Sequence, residues 1–213
     1  DDSDKVVTVA FAGQKHTAKV GDDGRWQVTL SAMKANAKGQ TLTVRGSTVV
    51  ELKDVLIGEV WLCSGQSNME WALKDCANGD AEVGLADYPR IRLFQIPTLT
   101  GADERVDLKS NWQACTPTAA ADFSGVGYFF GRELHRTRNV SIGLINASVG
   151  GTRAEAWTSR EKLLSMPHYA EMIAAYEAGL ENLDEALAAY AKEQTAWEKE
   201  NLPADPGDNG FEL

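Results

Sequence analysis

Residues 55–63 read Val55-Leu56-Ile57-Gly58-Glu59-Val60-Trp61-Leu62-Cys63, apolar at nearly every position. A short run without alternation is the pattern of a strand buried on both faces, and such strands belong to parallel sheets covered by helices. Residues 90–96, stopped by Pro97, form a second strand candidate, and residues 140–146 a third. Between them a helix is predicted over residues 126–138, with Phe129, Phe130 and Leu134 as apolar positions. Strands alternating with helices predict right-handed βαβ crossovers and an α/β fold with a parallel sheet.

The flanks read differently. Residues 6–11, 17–20, 26–30 and 42–45 are short alternating segments separated by Gly and Asp turns, predicting an antiparallel β module over residues 1–53. So few strands need a neighbour to bury a face. Residues 161–201 read as long helix, with a stripe at Ile173, Tyr176, Leu180, Leu183, Leu187, Tyr190 and Trp197 that is expected to pack against a neighbour. Pro203, Pro206 and Gly207 turn residues 203–213 into a polar linker. The expected division is therefore 1–53, 54–202 and 203–213.

Composition narrows the function. With 31 acidic against 21 basic residues and a net charge of −10, the chain lacks the clustered positive charge that nucleic acid requires. The excess is local: residues 171–213 hold 11 acidic and 2 basic residues, leaving 31 − 11 = 20 acidic and 21 − 2 = 19 basic elsewhere. No apolar run approaches the ~18 residues of a membrane span. Asp1-Asp2-Ser3-Asp4-Lys5 opens no uncleaved signal peptide, which leaves a leader removed before residue 1 open. Cys63, Cys76 and Cys115 are too few for a disulfide framework and lack zinc spacing. One bridge between Cys76 and Cys115 fits an exported protein, and three reduced thiols fit a cytosolic one.

Two turns carry the chemistry. The first apolar strand runs into Ser64-Gly65-Gln66-Ser67-Asn68-Met69-Glu70-Trp71. Open α/β folds form their sites at the carboxyl ends of parallel strands. A serine placed there has its hydroxyl at a crevice and its N–H aimed where an oxyanion develops. The pattern is not the nucleophile elbow G-x-S-x-G, because Met69 stands at the second glycine position. From spacing alone Ser67 is a nucleophile, or an N-cap whose capping box is completed by Glu70. The second turn, Asn146-Ala147-Ser148-Val149-Gly150-Gly151-Thr152-Arg153, ends another strand in paired glycines. It is either a plain structural turn or backbone N–H groups presented to a ligand.

The run from Asp54 to Trp61, followed by Gly65-Gln66-Ser67-Asn68-Met69-Glu70-Trp71, resembles the sialate O-acetylesterase family of SGNH-hydrolase-like carbohydrate esterases. Val126-Gly127-Tyr128-Phe129-Phe130-Gly131-Arg132-Glu133-Leu134, Gly150-Gly151-Thr152, Trp157 and Gly24-Arg25-Trp26 carry the same resemblance. It implies a parallel-sheet, flavodoxin-like esterase domain preceded by a small antiparallel β module. It also implies Ser67 as the nucleophile on an acetyl ester, through an acetyl-enzyme. The N–H of Ser67 and that of Gly150 or Gly151 would form part of the oxyanion hole. Gln66, Asn68, Trp71, Arg153 and Trp157 are candidate substrate contacts. Trp71 and Trp157 either stack on a sugar or belong to the core, and Arg153 pairs with a sugar carboxylate or with Glu155. No metal or organic cofactor is called for. The implied substrate is an O-acetylated sugar, foremost sialic acid, with acetyl xylan or another glycan as the alternative. The implied location is exported: periplasmic, extracellular or lysosomal.

The family's base is a histidine in an Asp-x-x-His motif, and a glutamine of a Q-G-E-x-N motif adds an oxyanion donor. Here His16, His135 and His168 are preceded three positions earlier by Gly13, Arg132 and Ser165, and Gln-Gly-Glu is absent. The expectation is an incomplete esterase domain, inactive in isolation, whose base resides on a further segment of the same esterase. A non-catalytic glycan-binding or assembly subunit with the esterase fold is the alternative of another class. His135 is read as a solvated position, and the sequons at Asn139 and Asn146 as carrying little weight.

Overall fold

A computed structural model describes residues 6–99 and 107–201. The expected 203–213 linker lies outside the described residues. The chain divides into two compact units, residues 1–152 and residues 153–213.

The first unit is built on a seven-stranded sheet. β1 (Val6–Phe11) and β2 (Gln14–Lys19) form a hairpin. Ala12 and Gly13 link them, both at positive φ (50° and 80°), as a two-residue primed turn requires. β3 (Asn36–Arg45) and β4 (Val49–Gly65) follow. Then come helices α1 (Ser67–Glu70) and α2 (Gly79–Gly84), and strands β5 (Tyr88–Gln95) and β6 (Gln113–Cys115). Helices α3 (Pro117–Ala121) and α4 (Gly125–Arg138) and strand β7 (Ser141–Ser148) complete the unit. The strand order is β2-β1-β3-β4-β7-β5-β6. The parallel part, β4-β7-β5, is the α/β core that the apolar runs predict.

β4 joins the two parts of the sheet. Residues 49–57 pair antiparallel with β3, and Gly58 to Gly65 pair parallel with β7. Asp54, at φ 57°, sits at an irregularity in the β3–β4 register three residues before the change of partner, and its carboxylate accepts a bond from Arg92 of β5 at 2.7 Å. The strand runs unbroken across residues 53 and 54, so the β module and the parallel sheet share it.

Residues 26–30 do not form the expected strand. Val28 and Leu30 still pack on Val7, Val9 and Val20, so the alternation reports burial correctly. The backbone has no ladder partner there among the described residues; instead the Gln14 side chain bonds Ser31 N (2.8 Å) and Ser31 O (3.1 Å).

Nor is β4 buried on both faces. One face meets α4 and a core that includes Leu73, Ile91, Phe123, Tyr128, Ile142 and Leu144. Gly131 lets α4 approach, since a Cβ there would lie 2.6 Å from a Leu144 methyl. On the other face Val60 and Leu62 are 63% and 65% exposed, and a groove of about 710 Å³ runs past Leu52, Val60 and Trp112.

The thiols are all free. Cys115 is fully buried, and desolvation pushes it up to about 11, with the Asp87 carboxylate acting in the same direction. Since the thiolate is the nucleophile, Cys115 is expected to react with a disulfide reagent at pH 8 about 100-fold more slowly in the native chain than in denaturant. Equal rates in the two states would contradict this burial.

In the second unit the predicted long helix is three: α5 (Arg160–Leu164), α6 (Ala170–Glu181) and α7 (Leu183–Asn201). Ser159 caps α5 through Lys162 N, and Asn182 separates α6 from α7. Of the expected stripe Ile173 is buried, whereas Tyr176, Leu187, Tyr190 and Trp197 are exposed. The spacing dictates an apolar face on each helix, but supplies no neighbour to cover it among the described residues of this unit. Among the described residues no helix is long and apolar enough to cross a membrane.

Candidate active site

The two predicted turns meet because their strands are neighbours in register. Gly65 pairs with Ser148, and the N–H of Val149 donates to Gly65 O at 3.1 Å. Gly65 leaves the strand at φ 147°, a region that favours glycine, and the chain turns at once into α1.

Gln66, not Ser67, is the N-cap of α1; its carbonyl accepts from Met69 N (2.9 Å) and Glu70 N (3.0 Å). The capping-box reading fails on this point. Glu70 turns away from the start of its own helix and accepts the N–H of Gly150 at 2.6 Å, a partner 80 residues distant. Ser67 is exposed on the first turn, and its hydroxyl has no hydrogen-bond partner among the described residues. Gly150 lies against it: a Cβ on Gly150 would sit 3.6 Å from Ser67 Cα and 2.5 Å from Glu70 Oε2.

Both turns are anchored. Behind Ser67, the N–H of Gly125 at the start of α4 donates to Trp71 O, and Leu73 N donates to Phe123 O, each at 2.9 Å. Ser124 caps α4 through Gly127 N at 3.0 Å and touches Met69 Sδ at 3.4 Å. Behind Gly150, Asn146 is 2% exposed and donates to Gln95 Oε1 (3.0 Å) while accepting from Ser148 Oγ (2.7 Å). Its amide is thus a buried tie between β5 and β7, not an acceptor for a glycan. Gly151, at φ 73°, completes the turn, and Thr152 Oγ1 closes it onto Val149 O at 2.7 Å.

The other predicted residues are placed as follows. Gln66 and Asn68 are exposed beside Ser67. Trp71 is 57% exposed, with its Nε1 donating to Asp75 O at 2.9 Å, so it is a fixed surface ring and not a core aromatic. Arg153 and Trp157 bound a short 3-10 turn in the second unit, and Trp157 is exposed.

The histidines of the first unit stand away from Ser67. His16 is on β2, three strands from β4, or roughly 14 Å at the usual strand spacing. His135 is half-buried, not solvated: its Nδ1–H donates to Val140 O at 2.6 Å and its Nε2 faces Arg90 at 3.4 Å. That bond holds it beside the start of β7, the opposite sheet edge from Ser67. The seven residues from Gly58 to Gly65 put the two edges roughly 23 Å apart. His168 sits in the second unit against Tyr169. Among the described residues no cluster of three His, Cys, Asp or Glu could hold a metal ion.

An exposed serine beside a glycine turn, at the paired carboxyl ends of parallel strands, is an arrangement for acyl transfer. Residues 57–194 match the family described as carbohydrate esterase, sialic acid-specific acetylesterase. The chain belongs to that family. Among its relatives, sialate O-acetylesterases of Rattus norvegicus and Homo sapiens are 35% and 33% identical over 166 and 165 residues. Each match covers 70% of this chain, and the chain spans 30% and 31% of those relatives. A crystal structure of a carbohydrate acetylesterase from Xanthomonas citri superposes with a TM-score of 0.72 at 36% identity, covering 76% of this chain and 38% of that one.

Within this acetylesterase family member, sequence reasoning missed Glu70 and Asn146. Glu70 is visible in the sequence only as a capping partner three positions after Ser67. Its real partner becomes readable only once β4 and β7 are known to be adjacent.

Proposed function

We propose that the chain provides the nucleophile half of a carbohydrate O-acetylesterase. One observation carries this reading: exposed Ser67, whose hydroxyl has no hydrogen-bond partner among the described residues, lies against Gly150 where β4 and β7 end in register. In the proposed reaction Ser67 Oγ attacks the acetyl carbonyl while a base takes its proton. The tetrahedral intermediate expels the sugar hydroxyl, which receives that proton, and water then hydrolyses the acetyl-enzyme. The Ser67 N–H and an N–H of the Gly150-Gly151 turn stabilise the oxyanion.

The base comes from a further segment of the esterase carrying Asp-x-x-His, and the 213-residue chain alone is inactive. The positions of His16 and His135 support this, as does the face carrying exposed Val60 and Leu62, an apolar surface on which such a segment has room to pack. In domain terms we read residues 1–53 as a β module and residues 54–202 as the first part of the esterase domain. The rat and human relatives are named for sialate, so O-acetylated sialic acid is the first substrate to test, with acetyl xylan and other acetylated glycans next. We place the protein among exported enzymes.

Mixing the chain with a fragment bearing Asp-x-x-His is expected to produce 4-nitrophenyl acetate turnover and phosphonate labelling at Ser67. Glycan binding without labelling would favour a non-catalytic module instead. For the sugar, Arg153→Ala is expected to weaken turnover of acetylated sialic acid by about 10-fold or more while sparing neutral acetylated sugars, since a guanidinium–carboxylate pair is charge-assisted. An equal loss on both substrates removes Arg153 from carboxylate recognition.

A further inference from the structure

Resting on the esterase reading, we propose that Glu70 is a positioning residue that fixes the second oxyanion donor. Its carboxylate holds the N–H of Gly150, so that the donor offered to the substrate from this turn is the N–H of Gly151.

The geometry is specific. Ser67 and Glu70 lie on the same four-residue helix, and Glu70 Oε2 takes the Gly150 N–H at 2.6 Å, a short charge-assisted bond. A second tie, Val149 N to Gly65 O at 3.1 Å, sits one residue earlier in the β7 turn and joins it to the end of β4, two residues before Ser67. Together they clamp the β7 exit turn to the element that carries the nucleophile. The clamp leaves no room for a side chain at Gly150, whose Cβ would meet Glu70 Oε2 at 2.5 Å.

Two consequences follow for the reaction. Gly150 N–H is already satisfied by an anion, so it is not free to receive a developing alkoxide. Gly151 N–H makes no backbone hydrogen bond among the described residues, and Gly151 holds φ 73°, which the next peptide of the turn needs. Oxyanion stabilisation demands donors held in place before charge develops, and a misplacement near 1 Å can cost about 10²-fold. Glu70 therefore acts on the reaction through the turn and not by touching the acetyl group.

The test compares Glu70→Gln, Glu70→Asp and Glu70→Ala. Gln keeps an acceptor oxygen at the same reach, whereas Asp keeps the charge and loses one methylene of reach. In the chain alone, amide exchange at Gly150, followed by NMR, is expected to be slow in the native protein and in Glu70→Gln. It should be fast in Glu70→Asp and Glu70→Ala, with melting temperatures unchanged. In the complemented esterase, kcat is expected to fall about 10²-fold in Glu70→Ala and Glu70→Asp, with KM within about 3-fold, and to recover to within about 10-fold in Glu70→Gln. Fast Gly150 exchange in the native chain overturns the proposal, and so does an unchanged kcat in Glu70→Ala. If the native assembly shows no Ser67-dependent turnover, the esterase reading is what fails, and the exchange rates alone then decide the Glu70 clamp. Should Glu70→Ala fail to fold, the contrast between Gln and Asp decides the matter.

Discussion

Ser67→Ala is expected to lower kcat on an acetyl ester by about 10⁴-fold or more in the complemented esterase, with little change in stability. Removing the nucleophile of a covalent mechanism leaves only what binding and the oxyanion donors contribute, which is why such losses are so large. The stability expectation comes from the site itself. Ser67 is exposed, Gln66 rather than Ser67 caps α1, and the Ser67 hydroxyl holds no partner among the described residues. An N-cap serine would behave differently, with a cost of about 1 kcal/mol in stability and no special loss of rate. The measurement is a pair: steady-state kinetics and a denaturant midpoint on the same variant. Retention of more than a few per cent of kcat would remove Ser67 from the chemistry.

Gly58→Ala is expected to destabilise the first unit by roughly 3 kcal/mol or more, toward the upper end of single substitutions. Gly58 is the first parallel rung of β4, opposite Ser141 of β7. A Cβ there would lie 2.0 Å from Ser141 O and 2.7 Å from its carbonyl carbon, and these are backbone atoms with no rotamer to change. Relief requires β4 and β7 to separate, and Ile142, one residue further along β7, is packed in the core. The same ladder ends at Gly65 and Ser148, so misregister there also displaces Gly150 from Ser67 and should lower activity. Gly84→Ala serves as the control, because nothing lies within 4 Å of its added methyl at the end of α2. It is expected to be neutral, or stabilising by up to about 1 kcal/mol through the unfolded chain. A Gly58→Ala midpoint indistinguishable from that control would show that β4 and β7 can part at no cost.

The α/β class, the three parallel strands, the α4 helix and the serine turn are all legible in the sequence, because each rests on local pattern. Apolar runs mark β4, β5 and β7 within two residues at most ends; β4 alone extends well beyond its run, at its start. Elsewhere local pattern misleads in a consistent way. Val28 and Leu30 alternate like a strand because they are half-buried, yet burial does not supply a ladder partner. The stripe on α6 and α7 has the right period, yet periodicity says which residues share a face and not what lies opposite it. His135 looks solvated in a mid-helix setting, and only the return of β7 shows Val140 O waiting for its Nδ1–H.

By itself, then, the sequence determined that a serine stands at the carboxyl end of an apolar parallel strand, and which family that serine belongs to. Strand pattern and motif are properties of neighbouring residues, so no fold is needed to read them. Only the tertiary structure decided which turn lies beside Ser67 and that Glu70 clamps Gly150 instead of capping its own helix. It also decided that neither His16 nor His135 is within reach of Ser67. Those facts depend on strand order and register, which bring residues 80 positions apart to 2.6 Å while holding His135 at the far edge of the same sheet.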